Sequence, residues 1–122
     1  MDVVTLKKDI IEYSKKIGID KIGFASADVF TELKQRLMER EKLNYASGFE
    51  KGSVEERTEA KQLMDGAKSI ISIALAYPSK INNPPKSKPG ERRGIFCRAS
   101  WGTDYHHVLR DRLEKLAAYI QT

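Results

Sequence analysis

Ser69-Ile70-Ile71-Ser72-Ile73-Ala74-Leu75-Ala76-Tyr77 is nearly all apolar and rich in isoleucine. It reads as a strand buried on both faces, and Pro78, which offers no amide to a ladder, ends it. Ahead of it, Ser53-Val54-Glu55-Glu56 has the spacing of a capping box. The serine accepts the N3 amide and Glu56 reaches back, so a short helix is expected through Met64, stopping at Asp65-Gly66. Further upstream, Leu6, Ile10, Tyr13 and Ile17 recur at helical spacing, with Thr5 as the expected N-cap and Gly18 just past the end. Lys21-Ile22-Gly23-Phe24-Ala25 reads as a strand, and Phe30, Leu33, Leu37 and Met38 as a second helix with Asp28 near its start. Asn44 to Gly52 has no periodicity and reads as a loop.

Downstream of Pro78, the stretch to Arg93 carries Pro84, Pro85, Pro89 and Gly90 and is expected to be the longest segment without regular structure. Gly94 to Ala99 predicts a third short strand. From Thr103 a helix runs on with Leu109, Leu113, Leu116 and Ile120 along one face, and Asp111 and Lys115 pair on its outer side. The fold class is therefore mixed α and β, α/β in the broad sense: a small mixed sheet flanked by helices, all of 1–122 in one domain. Three strands make a thin sheet, and the chain reads as the front part of a larger domain.

At 122 residues, with 40% hydrophobic and 32% charged side chains, the composition is that of a soluble globular protein. The apolar run at Ile70 to Tyr77 falls far short of the ~20 residues a membrane span needs, and no signal peptide is expected. Cys97 is the one cysteine. It excludes an internal disulfide and any iron–sulfur cluster held by these residues alone, and suits a reducing cytoplasm. The net charge is +5, and all of it lies in Lys80 to Arg98: Lys80, Lys86, Lys88, Arg92, Arg93 and Arg98 against Glu91. The remaining residues balance. Such a surplus in one Pro-rich loop suits a polyanion, though a solvated loop using lysines for solubility has the same composition.

The densest polar and aromatic cluster is Arg98-Ala99-Ser100-Trp101-Gly102-Thr103-Asp104-Tyr105-His106-His107. A helix beginning at Thr103 or Asp104 presents unpaired amides at its first turn, with Tyr105 and His106 there to donate or accept protons. The positive end of the helix favours a neutral imidazole at His106. The bland alternative is that Thr103 caps, Tyr105 packs and His106 meets solvent. His106 and His107 point about 100° apart on a helix and do not make a metal site, so no metal ligands are expected. Cys97 reads as a small buried strand residue or as a nucleophile with histidine nearby. The residues alone name no reaction.

Arg98-x-x-x-Gly102-x-Asp104-Tyr105-His106, followed by Val108-Leu109-Arg110 and Leu113, resembles the signature of epoxyqueuosine reductases. So does Glu56-Arg57-Thr58, leading through Gly66-Ala67-Lys68-Ser69 into the strand at Ile70. The resemblance covers essentially the whole chain and corresponds to the N-terminal part of that family. It implies a cobalamin-dependent reductase that removes the epoxide oxygen of epoxyqueuosine in tRNA, the last step of queuosine synthesis. It implies a cobalamin-binding domain like that of reductive dehalogenases, two [4Fe–4S] clusters in a later module, helical repeats, an external electron donor and no membrane. A proton-donating aspartate is expected beyond Thr122, so these residues alone are expected to be inactive.

By the same resemblance Arg57 and Cys97 are expected at the cofactor, Cys97 packing against the corrin rather than ligating cobalt, and Tyr105 and His106 at the substrate pocket. Lys86, Lys88, Arg92 and Arg93 are expected on tRNA phosphates. Two departures from the family pattern stand out: Ala60 in place of a common proline, and Ala99 in place of a common aromatic. Two rival readings share the fold: a corrinoid reductase of a small molecule, which needs no basic arm, and a non-enzymatic RNA-binding module.

Overall fold

The computed structural model describes residues 2–122. The chain forms two compact units, one made of the N-terminal segment up to Ile22 together with Ile73–Thr122, the other of Gly23–Ser72.

In the first unit, helix α1 (Val3–Lys16) and the C-terminal helix α5 (Tyr105–Gln121) pack along one seam. Tyr13 and Tyr119 stack face to face across it, ring centroids 4.0 Å apart. Ile10, Ser14 and Leu116 are buried around them, and Ser14 Oγ donates back to the Ile11 carbonyl at 2.7 Å, which lets a hydroxyl sit in the core. Asp2, and not Thr5, occupies the N-cap of α1, so the helix opens earlier than the apolar spacing predicts. Its end is as expected: Gly18 takes φ +82°, and a Cβ there would meet the Arg112 guanidinium of α5 at 3.7 Å.

In the second unit, helix α2 (Thr31–Lys42) packs on α3 (Val54–Thr58). The capping box forms as read: the Glu56 amide donates to Ser53 Oγ at 3.1 Å and the Ser53 amide to Glu56 Oε2 at 3.2 Å. The expected single helix is broken at Glu59, whose extended backbone separates α3 from α4 (Ala60–Leu63). Glu59 spends its side chain elsewhere, on an ion pair with Lys34 of α2. Ala60 opens α4, a first-turn position where proline is tolerated, which accounts for the ease of that exchange. Thr58 is fully buried, its hydroxyl donating to the Val54 carbonyl at 2.7 Å. The loop after α2 is braced by Glu50, which accepts the Ser47 and Gly48 amides and pairs with Arg40; the Ser47 amide above all, with the Glu50 amide and the Ser47 side chain, holds its carboxyl down to about 2.

Strands β1 (Lys21–Ser26) and β2 (Ser69–Ala74) form a two-stranded sheet. Its antiparallel sense follows from the bonds at its ends, Asp20 amide to Ala74 carbonyl and Ala27 amide to Lys68 carbonyl. Two sequence expectations change here. The strand expected to reach Tyr77 stops at Ala74, and its isoleucines are half-buried, because a two-stranded ribbon has no inner strand and leaves β2 open. The third strand at Gly94 to Ala99 does not form. Its backbone finds no partner strand among the described residues, and Arg98–Ser100 instead turns as a short 3₁₀ helix.

The seam gives a direct stability test. Leu116 is 2% exposed and Leu113, one turn away, 44% exposed. Leu116→Ala is expected to cost about 2–4 kcal/mol and Leu113→Ala less than half of that, measured by urea denaturation.

Candidate functional site

Past Ala74 the chain leaves the sheet, and Leu75 to Ser79 form part of one wall of a cleft of about 580 Å³. Ile73, Leu75 and Tyr77 are the large apolar side chains of that wall, with Ala74 and Ala76 between them. The other wall comes from the first turns of α5, with Tyr105, Val108 and Leu109, and from the preceding turn, with Arg98, Ala99, Trp101 and Thr103. All of these residues belong to the first unit. The lining is mostly aliphatic and aromatic, with Arg98 its one cation, a surface that suits a large flat apolar ligand carrying a few polar substituents.

The turn that carries Arg98 to Trp101 is pinned at both ends. Trp101 Nε1 donates to the Phe96 carbonyl at 2.9 Å, and the Ser100 amide to the Cys97 carbonyl at 3.0 Å. Gly102 then takes φ +74° to redirect the chain into α5, a conformation that a side chain would strain. Asp104 is the N-cap of α5, not Thr103: its Oδ1 accepts the His106 amide at 2.9 Å. The same oxygen lies 2.8 Å from His106 Nδ1. The His106 amide, then its ring, hold the Asp104 carboxyl below the ordinary aspartate value of 3.8. The Tyr105 and His106 rings stack at 4.2 Å.

Of the expected substrate residues, Tyr105 lines the cleft and His106 stacks on the Tyr105 ring without itself lining the cleft. The sequence reading of His106 considered only the helix dipole and missed the neighbouring carboxylate, which favours a proton on Nδ1. The Asx capping pattern two residues ahead was its available signal. Cys97 is free and exposed, at the N-cap of the 3₁₀ turn with Sγ 3.8 Å from Ser100 Oγ, so the expectation of a buried strand cysteine is corrected. It precedes the lining residue Arg98 but does not itself line the cleft. Arg57 lies in the other unit, exposed in the last turn of α3. The wall from Leu75 to Ser79 was missed because its apolar run was assigned to a buried strand ending at Pro78, whereas the strand ends at Ala74. No group of three His, Cys, Asp or Glu side chains suited to a metal ion occurs among the described residues.

The basic segment is more ordered than its composition predicts. Lys88 and Glu91 form a two-way backbone bridge, Glu91 amide to Lys88 carbonyl at 2.9 Å and Lys88 amide to Glu91 carbonyl at 3.1 Å. Pro89 and Gly90 sit between them, Gly90 at φ +82°, the Pro-Gly order of a type II turn. Ser87 closes the base, its hydroxyl donating to the Arg93 carbonyl and accepting the Arg93 amide. Arg93 pairs with Glu91 at 3.1 Å, while Lys86, Lys88 and Arg92 stand exposed.

If Asp104 is the cap, Asp104→Ala lowers the urea midpoint at pH 7 and Thr103→Ala leaves it nearly unchanged. The folded-state carboxyl lies below its unfolded value, so its contribution is present above about pH 3.8 and is lost as the pH falls through the lower folded value. The difference between wild type and Asp104→Ala should therefore narrow in acid, as denaturation followed from pH 7 downward will show.

Comparison with known proteins follows this geometry closely. The family described as Epoxyqueuosine reductase QueG, DUF1730, matches residues 57–122. The epoxyqueuosine reductase of Bacillus anthracis is 68% identical over 98% of the chain, and that of Bacillus subtilis 54% identical over all of it. In each case the chain spans 32% of the relative's length, about a third. A crystal structure of an epoxyqueuosine reductase with an epoxyqueuosine-modified tRNA-Tyr stem loop superposes with a TM-score of 0.88 at 54% identity, covering 98% of this chain and 32% of that one.

Proposed function

The chain belongs to the epoxyqueuosine reductase family, and from that membership we propose that it supplies the N-terminal part of an enzyme reducing epoxyqueuosine to queuosine in tRNA. The observation that carries this reading is the cleft, one wall of which is built from the family-like block through Arg98, Ala99, Trp101, Thr103 and Tyr105. The net reaction adds two electrons and two protons to the epoxide, breaks both of its carbon–oxygen bonds and releases water with formation of the alkene. Two [4Fe–4S] clusters and an external electron donor are assigned to the rest of the enzyme, where they would supply the electrons; with one cysteine this chain would not hold a cluster. We assign the acid that protonates the departing oxygen to an aspartate beyond Thr122.

Cobalamin fits the residues present: Ile73, Leu75, Tyr77, Trp101 and Leu109 offer an apolar wall for a corrin face, and Arg98 a paired donor for an amide or phosphate. When bound, cobalamin supplies the low-potential reducing centre. Arg57 and Cys97 are assigned to the same cofactor, Arg57 through its planar donor fork and Cys97 through apolar contact. Tyr105 and His106 hold the substrate by hydrogen bonds and exclude water from the cleft. We assign the enzyme to the cytoplasm, where its tRNA substrate and a reducing setting for Cys97 are found. No helix of the described residues is long and apolar enough to cross a membrane.

Lys86, Lys88 and Arg92, with Arg93 once released from Glu91, are assigned to tRNA phosphates. The hairpin favours this over a small-molecule corrinoid reductase, which has no use for exposed cations on an ordered arm. A protein that only binds RNA is separated by product analysis: the full-length enzyme with a reductant should convert an epoxyqueuosine stem loop to a product lighter by one oxygen, read by mass spectrometry. Replacing Lys86, Lys88 and Arg92 with glutamine should flatten the plot of log affinity against log salt by roughly 0.7–0.9 per lost contact, about two units or more in all. Adding Arg93→Gln should flatten the plot further, by less than one full contact, because Arg93 meets a phosphate only after giving up its pair with Glu91. Cobalamin content serves as the control for folding, and an unaltered slope in the triple variant would show the arm to be a solvated loop.

A further inference from the structure

We propose that Asp104 is a positioning residue that holds His106 in one tautomer, with the hydrogen on Nδ1 and a free acceptor at Nε2. Neighbouring residues on a helix point about 100° apart, so the rings of Tyr105 and His106 do not meet by default. Here they stack at 4.2 Å, which requires the imidazole to be turned toward Tyr105. Asp104 Oδ1 supplies the turn, taking the His106 amide at 2.9 Å and the His106 ring nitrogen at 2.8 Å. The ring is thus fixed in its plane by the carboxylate and across its plane by the tyrosine. Its side chain is otherwise 69% exposed.

An ionised carboxylate only accepts, so Nδ1 must carry the hydrogen, and a neutral ring then has its lone pair at Nε2. An acceptor held on the tyrosine that walls the cleft suits a hydroxyl or amino hydrogen of the ligand. Epoxyqueuosine, a hydroxylated nucleoside with a secondary amine, offers both. This last step rests on the reading of Tyr105 and His106 as substrate-facing; the tautomer itself does not.

The two are separated by one pair of variants in the full-length enzyme. Asp104→Ser keeps a capping oxygen for the helix but is too short to reach the ring; Asp104→Asn keeps an acceptor for both. With histidine labelled in ¹⁵N and His106 assigned by its absence in His106→Gln, long-range ¹H–¹⁵N correlation reports the tautomer. Wild type and Asp104→Asn should show hydrogen on Nδ1, and Asp104→Ser should shift toward hydrogen on Nε2. An unchanged pattern in Asp104→Ser, with the helix intact by circular dichroism, overturns the proposal. A changed pattern should come with a KM for the epoxyqueuosine stem loop raised about fivefold, the worth of one hydrogen bond, at unchanged cobalamin content. A changed pattern with unaltered KM sustains the positioning role and overturns instead the placement of His106 on the substrate.

Discussion

The seam between α1 and α5 is the constraint on which the cleft depends. Tyr13 and Tyr119 stack in nearly parallel planes near the far end of α5, and Leu116 is buried one turn closer to its start. A 17-residue helix fixed over its C-terminal half is a lever whose first turn has a defined position, because an α-helix is stiff over this length. Val108 and Leu109 therefore line the cleft together with Leu75 to Tyr77. Ring stacking and aliphatic burial give the lever its hold; the polar groups of Asp104 only decide where it begins.

That division of labour explains what the sequence could and could not disclose. Helices α1, α2 and α5, the capping box at Ser53 and the positive φ at Gly18 were legible, since each follows from spacing or backbone chemistry within a few residues. The third strand was not. Gly94 to Ala99 has an acceptable strand composition, but a strand needs a partner edge, and a partner is a property of topology rather than of a local window. The same gap led β2 to be drawn too long. Leu75 to Tyr77 is as apolar as Ile70 to Ile73, and what distinguishes them is that β1 pairs with one and the cleft opens on the other.

The site divides along the same line. Tyr105 and His106 could be placed at a helix start from the Asp-Tyr-His block alone, yet the bond that orients His106 depends on which of Thr103 and Asp104 takes the cap. Two adjacent capping residues compete for one position, and sequence preference hardly separates them. Gly102 tips the balance structurally: its left-handed conformation places Thr103 in the turn, where it lines the cleft, and leaves Asp104 to face the open amides. One glycine thereby sets both a lining residue and a cap.

The basic arm shows how order changes the meaning of a charge count. Six cations against one acid in Lys80 to Arg98 reads as a diffuse positive loop. Closed by the Lys88–Glu91 bridge and the Ser87 clasp on Arg93, it becomes a short hairpin in which the single acid is spent on Arg93. The charges that remain are then presented from a backbone already restricted, so less chain entropy is lost when a phosphate backbone is met than from a free loop. Pro89 contributes to the unfolded side of the same balance by narrowing what the free chain can sample. A segment kept only for solubility gains nothing from such restriction, whereas a surface that must meet a polyanion with several cations at once does, and this asymmetry favours a binding role for the arm.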